Sequence, residues 1–339
     1  INGAMQVAQR GTSETGVTTS QYANACDRFK VNGNNGTWTI SQDTDAPDGF
    51  SNSFKMLLTA TETISGTSYW SVEQKIEGQN LQGLAYGTSS AKTVTVSFYV
   101  KSNITGTYCL NLYQDDGTKN FPKTYTIDSA DTWERKTISF IGDTSTALDN
   151  DSASSLRTQF HVVAGSTYNS GTPGSRVAYT DATFAAGQSA QVDAVNDYWQ
   201  ITGVQLEVGE NASDFEHRSF GEELALCQRY YEKSYDYGTA PGASNNGTGI
   251  DHRTVGRDTP NAYGFFTTKF TTTKRAGPAV TVYAYTGTAN KISNGDSGSE
   301  LATVDAIQLS TTGFLTRNQQ GSTITDQAIM FHYVADSEL

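Results

Sequence analysis

Apolar residues along this chain recur mostly at every second position, the period of a half-buried β-strand. Thr93–Lys101 alternates most cleanly: Val94, Val96, Phe98 and Val100 fall on one face, and Thr95, Ser97, Tyr99 and Lys101 on the other. Thr107–Gln114 turns Tyr108, Leu110 and Leu112 inward and Asn111 and Tyr113 outward, ahead of the turn DDGT. Ser155–Ala164 sends Leu156, Phe160 and Val162 in and Arg157, Gln159 and His161 out. Gly36–Ser41, Ser53–Thr61, Tyr69–Ile76, Trp133–Phe140 and Tyr198–Val208 read the same way, with a short strand at Met5–Gln9 in an otherwise aperiodic lead-in. Gly, Asn and Asp turns separate these runs, which predicts an all-β fold, a β-sandwich of jelly-roll type. Gly165 to Val195 is longer than most loops and reads as an excursion with one short strand at Val177–Thr180.

One segment breaks the period of two. Ser219 with Glu222 makes a capping-box pattern, Glu222 and Glu223 fill a first turn, and Arg229 and Lys233 lie near a last one. Leu224, Cys227 and Tyr231 form a helical stripe flanked by Leu226 and Tyr230. A connector helix of about 14 residues follows from that spacing. After Tyr235 a Gly/Asn-rich stretch leads to further strands at Tyr263–Thr272, Ala279–Thr286, Ala302–Leu309, Thr311–Arg317 and Ile324–Tyr333, with Phe265, Val280, Val282, Ile329 and Phe331 as core. The expected organisation is a lead-in over 1–26, a jelly roll over 27–218, a connector helix over 219–235 and a smaller β domain over 236–339.

Composition agrees with a β-rich chain. Charged residues are 17% and aromatics 11%, and there are 32 glycines. The net charge of −12 argues against nucleic acid, which needs clustered Lys and Arg to release counterions. No run has the length and apolarity of a membrane span or the pattern of a signal peptide. The sequence opens at Ile1 rather than Met, which leaves room for a targeting segment or whole domains upstream. Cys26, Cys109 and Cys227 lie far apart; their odd number and lack of CxxC spacing point to buried thiols and folding in a reducing cytosol.

Catalytic signatures are thin. The four histidines are dispersed without metal-ligand spacing, and no GxSxG elbow occurs, so no enzymatic activity is expected. Asp43, Asp45 and Asp48 in QDTDAPDG, with Asp197 opening the long strand, are candidates for a structural calcium; no other cofactor is expected. Trp38, Trp70, Trp133 and Trp199 are read as core. The outward set is the better lead. Tyr99, Asn111, Tyr113, Arg157, Gln159 and His161 mix rings with planar amides and a guanidinium. Rings stack on the C–H faces of sugars while amides and guanidinium exchange paired hydrogen bonds with hydroxyls, so this set is the candidate glycan site.

The chain resembles the C-terminal regions of tailed-bacteriophage fibre and appendage proteins. The matching runs are WQITGVQLEVG at 199–209, ASDFEHRS at 212–219 and ELALCQRYYEK at 223–233. NGAMQVAQRG at 2–11, QKIEG at 74–78, VSFYVKS at 96–102, GPAVTVY at 277–283 and DSEL at 336–339 extend the likeness. It implies a non-enzymatic structural protein on the virion surface, assembled in the bacterial cytoplasm. It also implies a homotrimer in contact with other virion proteins, acting as an adhesin for host-surface glycans. A head-fibre or capsid-decoration role is the alternative within virions. The first domain is also similar, through the strand W-x-I-x-x-V-x-L-E, to jelly-roll carbohydrate-binding modules of secreted polysaccharide-degrading enzymes, and such a module is the alternative function outside virions.

Overall fold

A computed structural model describes residues 1–244, 247–255, 265–318 and 327–339. The chain divides into two compact units, 1–8 with 12–220 and 339, and 9–11 with 221–338.

The first unit is an all-antiparallel β-sandwich. Its strands are β1 (Ser13–Val17), β2 (Lys30–Gly33), β3 (Thr37–Asp43), β4 (Ser53–Ala60), β5 (Tyr69–Glu77), β6 (Val94–Ser102) and β7 (Gly106–Gln114). They continue with β8 (Lys119–Asn120), β9 (Pro122–Ile127), β10 (Glu134–Phe140), β11 (Ser154–Ala164), β12 (Val177–Ala178) and β13 (Tyr198–Val208). One sheet runs β1-β3-β4-β13-β6-β10; the other runs β12-β8-β7-β11-β5-β2, with β9 also on β7. The order is far from sequential, as jelly-roll crossovers require.

The alternating apolar residues meet between the sheets, as the period of two demands. Phe98 of β6 stands edge-on to Phe160 of β11 at 5.0 Å, Phe160 lies 6.1 Å from Trp199, and Trp38 lies 5.7 Å from Trp70. Trp38, Trp70 and Trp199 are fully buried. The Asn35 carbonyl accepts both the Trp38 Nε1–H, at 2.8 Å, and the Trp70 Nε1–H, so one loop carbonyl satisfies two buried donors. Trp133 departs from the expectation: it is half-buried outside the core, and its Nε1–H donates to Asp45 at 3.1 Å.

In β13 the pairing with β6 slips between Thr202 and Gln205. Gly203 sits there at φ +62°, and a Cβ on it would stand 2.8 Å from the Phe50 ring. Both the bulge and the ring require glycine. The lead-in is no loose arm. Asn2, Met5 and Val7 are buried, and the Asn2 amide donates to the carbonyls of Val7 and Asp27. Its strand is Ser13–Val17, not Met5–Gln9.

The described residues of the second unit hold a helix and an eight-stranded sheet. The helix spans Phe220–Gln228, shorter than the spacing predicted, because Tyr231 already belongs to β14 (Tyr231–Lys233). Glu223 and Cys227 are buried on it, while Leu226 is exposed. The remaining strands are β15 (Asp251–Val255), β16 (Phe265–Lys269), β17 (Ala279–Tyr283), β18 (Lys291–Asn294), β19 (Glu300–Ile307), β20 (Gly313–Asn318) and β21 (Gln327–Asp336). β21 pairs with β14, β15, β17 and β18. Val282, Ile329 and Phe331 are core as expected, and Val280 packs against them half-buried; the Phe265 side chain, residues 263–264 and residues 324–326 lie outside the described residues. Buried Lys274 pairs with buried Glu232 at 2.5 Å, and Glu232 also accepts the Tyr333 hydroxyl at 2.8 Å.

Candidate functional site

The register of the seven-stranded sheet arranges its outer face in rows. Tyr113 of β7 stands opposite Arg157 of β11, which stands opposite Lys75 of β5. The next row holds Asn111, Gln159, Glu73 and Lys30. The one beyond holds His161, Ser71 and Asn32. Side chains two apart on one strand share a face, so these rows form one continuous polar surface.

The excursion after β11 folds over part of that surface. A Cβ at Gly165 would stand 2.1 Å from the Ser65 carbonyl oxygen, so only glycine permits the close approach with which the segment begins. A single-turn helix α1 (Ser166–Asn169), the strand β12 and a 3₁₀ turn at Asp181–Thr183 follow. The Asn169 amide donates to the carbonyls of Ala164 and Gln188, and the Asn120 amide to the Thr183 hydroxyl, which ties the segment down at both ends. Cys109, Ala164 and Ala185 make a small apolar cluster beneath it, with Tyr168 packed against them.

What stays open is a cleft of about 290 Å³ lined by Asn32, Tyr69, Tyr113, Arg157, Gln159, Tyr168, Tyr179 and Phe184. Its rings meet edge to face: Tyr113 with Tyr179 at 6.0 Å, Tyr69 with Tyr168 at 5.3 Å and Tyr69 with Phe184 at 5.6 Å. Burial, with the Asp181 carboxylate accepting its hydroxyl at 3.0 Å, pushes the Tyr179 phenol up to about 12. The floor is a chain of amides. The Asn111 Nδ2 donates to the Gln159 Oε1 at 2.9 Å and to the Asn120 Oδ1 at 2.7 Å, and the Gln159 Nε2 donates to Glu73 at 3.1 Å. Each planar group is thereby fixed in orientation before any ligand arrives. Arg157 lies over the Tyr113 ring at 5.2 Å, and its Nε donates to both Asp115 oxygens, at 2.9 and 3.0 Å. Burial opposes the guanidinium charge, but Asp115 outweighs that and raises the Arg157 pKa.

Of the six candidate residues, Tyr113, Arg157 and Gln159 line this cleft, and Asn111 lies directly beneath it, buried, holding Gln159. His161 shares the face but is fully buried under the excursion, 4.5 Å from the Phe184 ring. Desolvation pulls its pKa down to about 3, against an opposing pull from the Phe184 backbone, so it is a neutral packing residue and no sugar contact. Tyr99 belongs to the other sheet, on β6, where it packs against Phe50 at 5.4 Å. Strand alternation alone could not tell the two sheets apart. It also missed Tyr69 and Asn32, and the three rings on the excursion. One signal was available: Cys109, an apolar residue on a supposedly wet face, with the small pair Ala185-Ala186 in the loop.

The acidic candidates stand apart. Asp43 pairs with Lys55 at 3.0 Å and Asp45 with Lys101 at 2.7 Å. Burial raises the Asp45 pKa, but the hydrogen bonds from Lys101 and Trp133 outweigh it and leave the group below its ordinary value. Asp48 is exposed in its turn. Asp197 accepts the Asn103 amide at 2.9 Å and the Ala194 N–H at 2.9 Å; its backbone meets Leu58, at the opposite end of β4 from the Ser53 that faces Asp43. Among the described residues no group of three or more His, Cys, Asp or Glu is placed to hold a metal ion, and no helix is long and apolar enough to cross a membrane.

No protein-family model matches the sequence, and no curated protein matches it. Solved structures do superpose on part of it. The enzymatically active domain of a tailspike protein of bacteriophage CBA120 is 11% identical over 62% of this chain and 21% of that one, with a TM-score of 0.33. The chain thus spans about a fifth of that tailspike domain. A CBM4 structure is 13% identical over 62% of this chain and 99% of its own, with a TM-score of 0.30. The C-terminal family 22 carbohydrate-binding module of Clostridium thermocellum Xyn10B is 10% identical over 60% and 98%, with a TM-score of 0.30. At such identities and TM-scores a likeness says nothing about ligand, and the side chains of the cleft have to speak for themselves.

Proposed function

We propose that the first unit binds a glycan in the cleft of the seven-stranded sheet. We further propose that the chain is a non-enzymatic, tail-fibre-like adhesin of a bacteriophage virion. The observation that carries the binding reading is the meeting of Tyr69, Tyr113, Tyr168 and Tyr179 with the pre-fixed groups of Arg157 and Gln159. Rings supply stacking area at little conformational cost, and the held amide and guanidinium supply directional hydrogen bonds to hydroxyls. The virion setting rests on the resemblance of 199–233 to fibre and appendage proteins. A homotrimer placed among other virion proteins, displayed on the virion surface, belongs to the same reading.

The test is calorimetric titration of the purified chain against bacterial surface polysaccharides, before and after periodate cleavage of their vicinal diols. Saturable binding that periodate abolishes supports the glycan reading. Binding that survives periodate sinks it. Immunogold labelling of virions with antibody to this chain tests the setting: label on the tail supports the fibre, and label on the capsid favours the decoration role.

A further inference from the structure

The charge pattern of the cleft carries the reading one step further. Arg157 is the one ionised side chain among the residues that line it. It is largely buried, and so is Asp115, which takes its Nε in a forked contact and its Nη2 as well. Asp115 is itself fixed by the Ser154 hydroxyl at 2.6 Å. The guanidinium therefore presents hydrogen-bond donors whose charge is already balanced. The remaining ionic groups nearby are not arranged for an anion. The Glu73 carboxylate is buried behind Gln159, and Asp181 sits at the rim on the Tyr179 hydroxyl. Lys75, the cation of the Arg157 row, donates to the Leu339 carbonyl at 2.9 Å, and Lys30 lies over the Tyr22 ring at 5.9 Å; neither lines the cleft.

We infer, on the footing of the glycan-binding reading, that the cleft selects uncharged sugars over carboxylated or phosphorylated ones, and that Asp115 sets this selection by occupying Arg157. A sugar carboxylate would meet a committed guanidinium with carboxylates below and beside it, an uncompensated like charge in a half-buried site. A hydroxyl meets the same groups without that cost. Asp115 touches no ligand in this scheme; it is a positioning residue for Arg157.

Hexuronic acids of the glucose, galactose and mannose series, each paired with its methyl ester, separate charge from shape. The wild-type chain should bind esters and neutral hexosides at least about tenfold more tightly than the acids, with little dependence on salt. Asp115→Asn should free the guanidinium, raise affinity for the acids about tenfold and make that gain fall with added salt, while neutral binding changes little. A merely structural Asp115 would weaken all ligands alike. Asp115→Ser serves the same end should Asp115→Asn not fold. Acids bound as tightly as esters by the wild type would overturn the inference and leave the glycan reading standing. An Asp115 variant that keeps the wild-type preference would overturn the role of Asp115. Binding of neither acids, esters nor neutral hexosides would remove the glycan reading itself.

Discussion

The two outer faces of the first unit use aromatic rings in opposite ways. On the six-stranded sheet Phe50 meets Tyr99 at 5.4 Å, Phe215 at 5.1 Å and His217 at 5.1 Å, so the rings spend their faces and edges on one another. On the seven-stranded sheet the rings stand around a gap with fixed polar groups at its floor. The same residue types close one surface and open the other. What differs is the covering segment: Phe50, just before β4, and Phe215, after β13, pack on each other and down on Tyr99 of the sheet, whereas the excursion after β11 leaves part of its face open as the cleft. Ring content alone is therefore no guide to a binding face.

The largest way to break this contrast is to remove the ring that anchors the excursion. Phe184 is 8% exposed and contacts Tyr69, Tyr168, Tyr179 and His161. Phe184→Ala should cost about 3 kcal/mol in urea unfolding and abolish the cleft. Phe50→Ala, on a half-buried ring of the opposite face, should cost about half as much and leave glycan binding intact.

Acid probes the same anchor. The folded-state pKa of His161, about 3, lies below its unfolded value of 6.5. Its burial thus exacts no pH-dependent penalty above pH 6.5, and stability is lost as pH falls from there through 3. The slope is about 1.4 kcal/mol per unit, or about 2 kcal/mol between pH 6.5 and 5. Urea midpoints at pH 7 and pH 5 measure it, and His161→Gln should flatten the difference. An unchanged slope in that variant would assign the acid sensitivity to other groups.

Binding sharpens the contrast at smaller energies. Tyr113→Ala with Tyr179→Ala should weaken glycan binding about tenfold or more, while Tyr99→Ala should leave it within error. Loss in the Tyr99 variant would move the site to the other sheet. The smallest effect concerns calcium. Because Asp43 and Asp45 already hold ammonium partners, melting temperatures with excess calcium and with excess chelator should coincide. A calcium-dependent rise would place an ion elsewhere.

Much of this was legible from strand alternation. Tyr198–Val208 forms over the bounds its pattern predicts, and β4, β6, β7 and β11 fall within a residue or so. Their buried faces follow because a period of two fixes them. Four short strands of the first unit, β1, β2, β8 and β9, escaped, since two to six residues carry too little alternation to register. The site was half legible. Alternation put Tyr113, Arg157 and Gln159 on one surface, but which strands are neighbours, and what lies over them, is decided by long-range pairing and by a loop. His161 was misjudged for that reason: its face is outward, but the excursion buries it.

The cleft is assembled from two kinds of parts. Tyr113, Arg157, Gln159 and Tyr69 stand on strands locked into the sandwich, whereas Tyr168, Tyr179 and Phe184 come from one short stretch of chain between β11 and β13. The first set cannot drift without disturbing the ladder; the second can be rewritten by insertion, deletion or exchange at the expense of only the two-residue pairing of β12 with β8 at the sheet edge. A lineage could thus keep its scaffold and reshape its cleft by replacing one exchangeable cassette, residues 165 to 187.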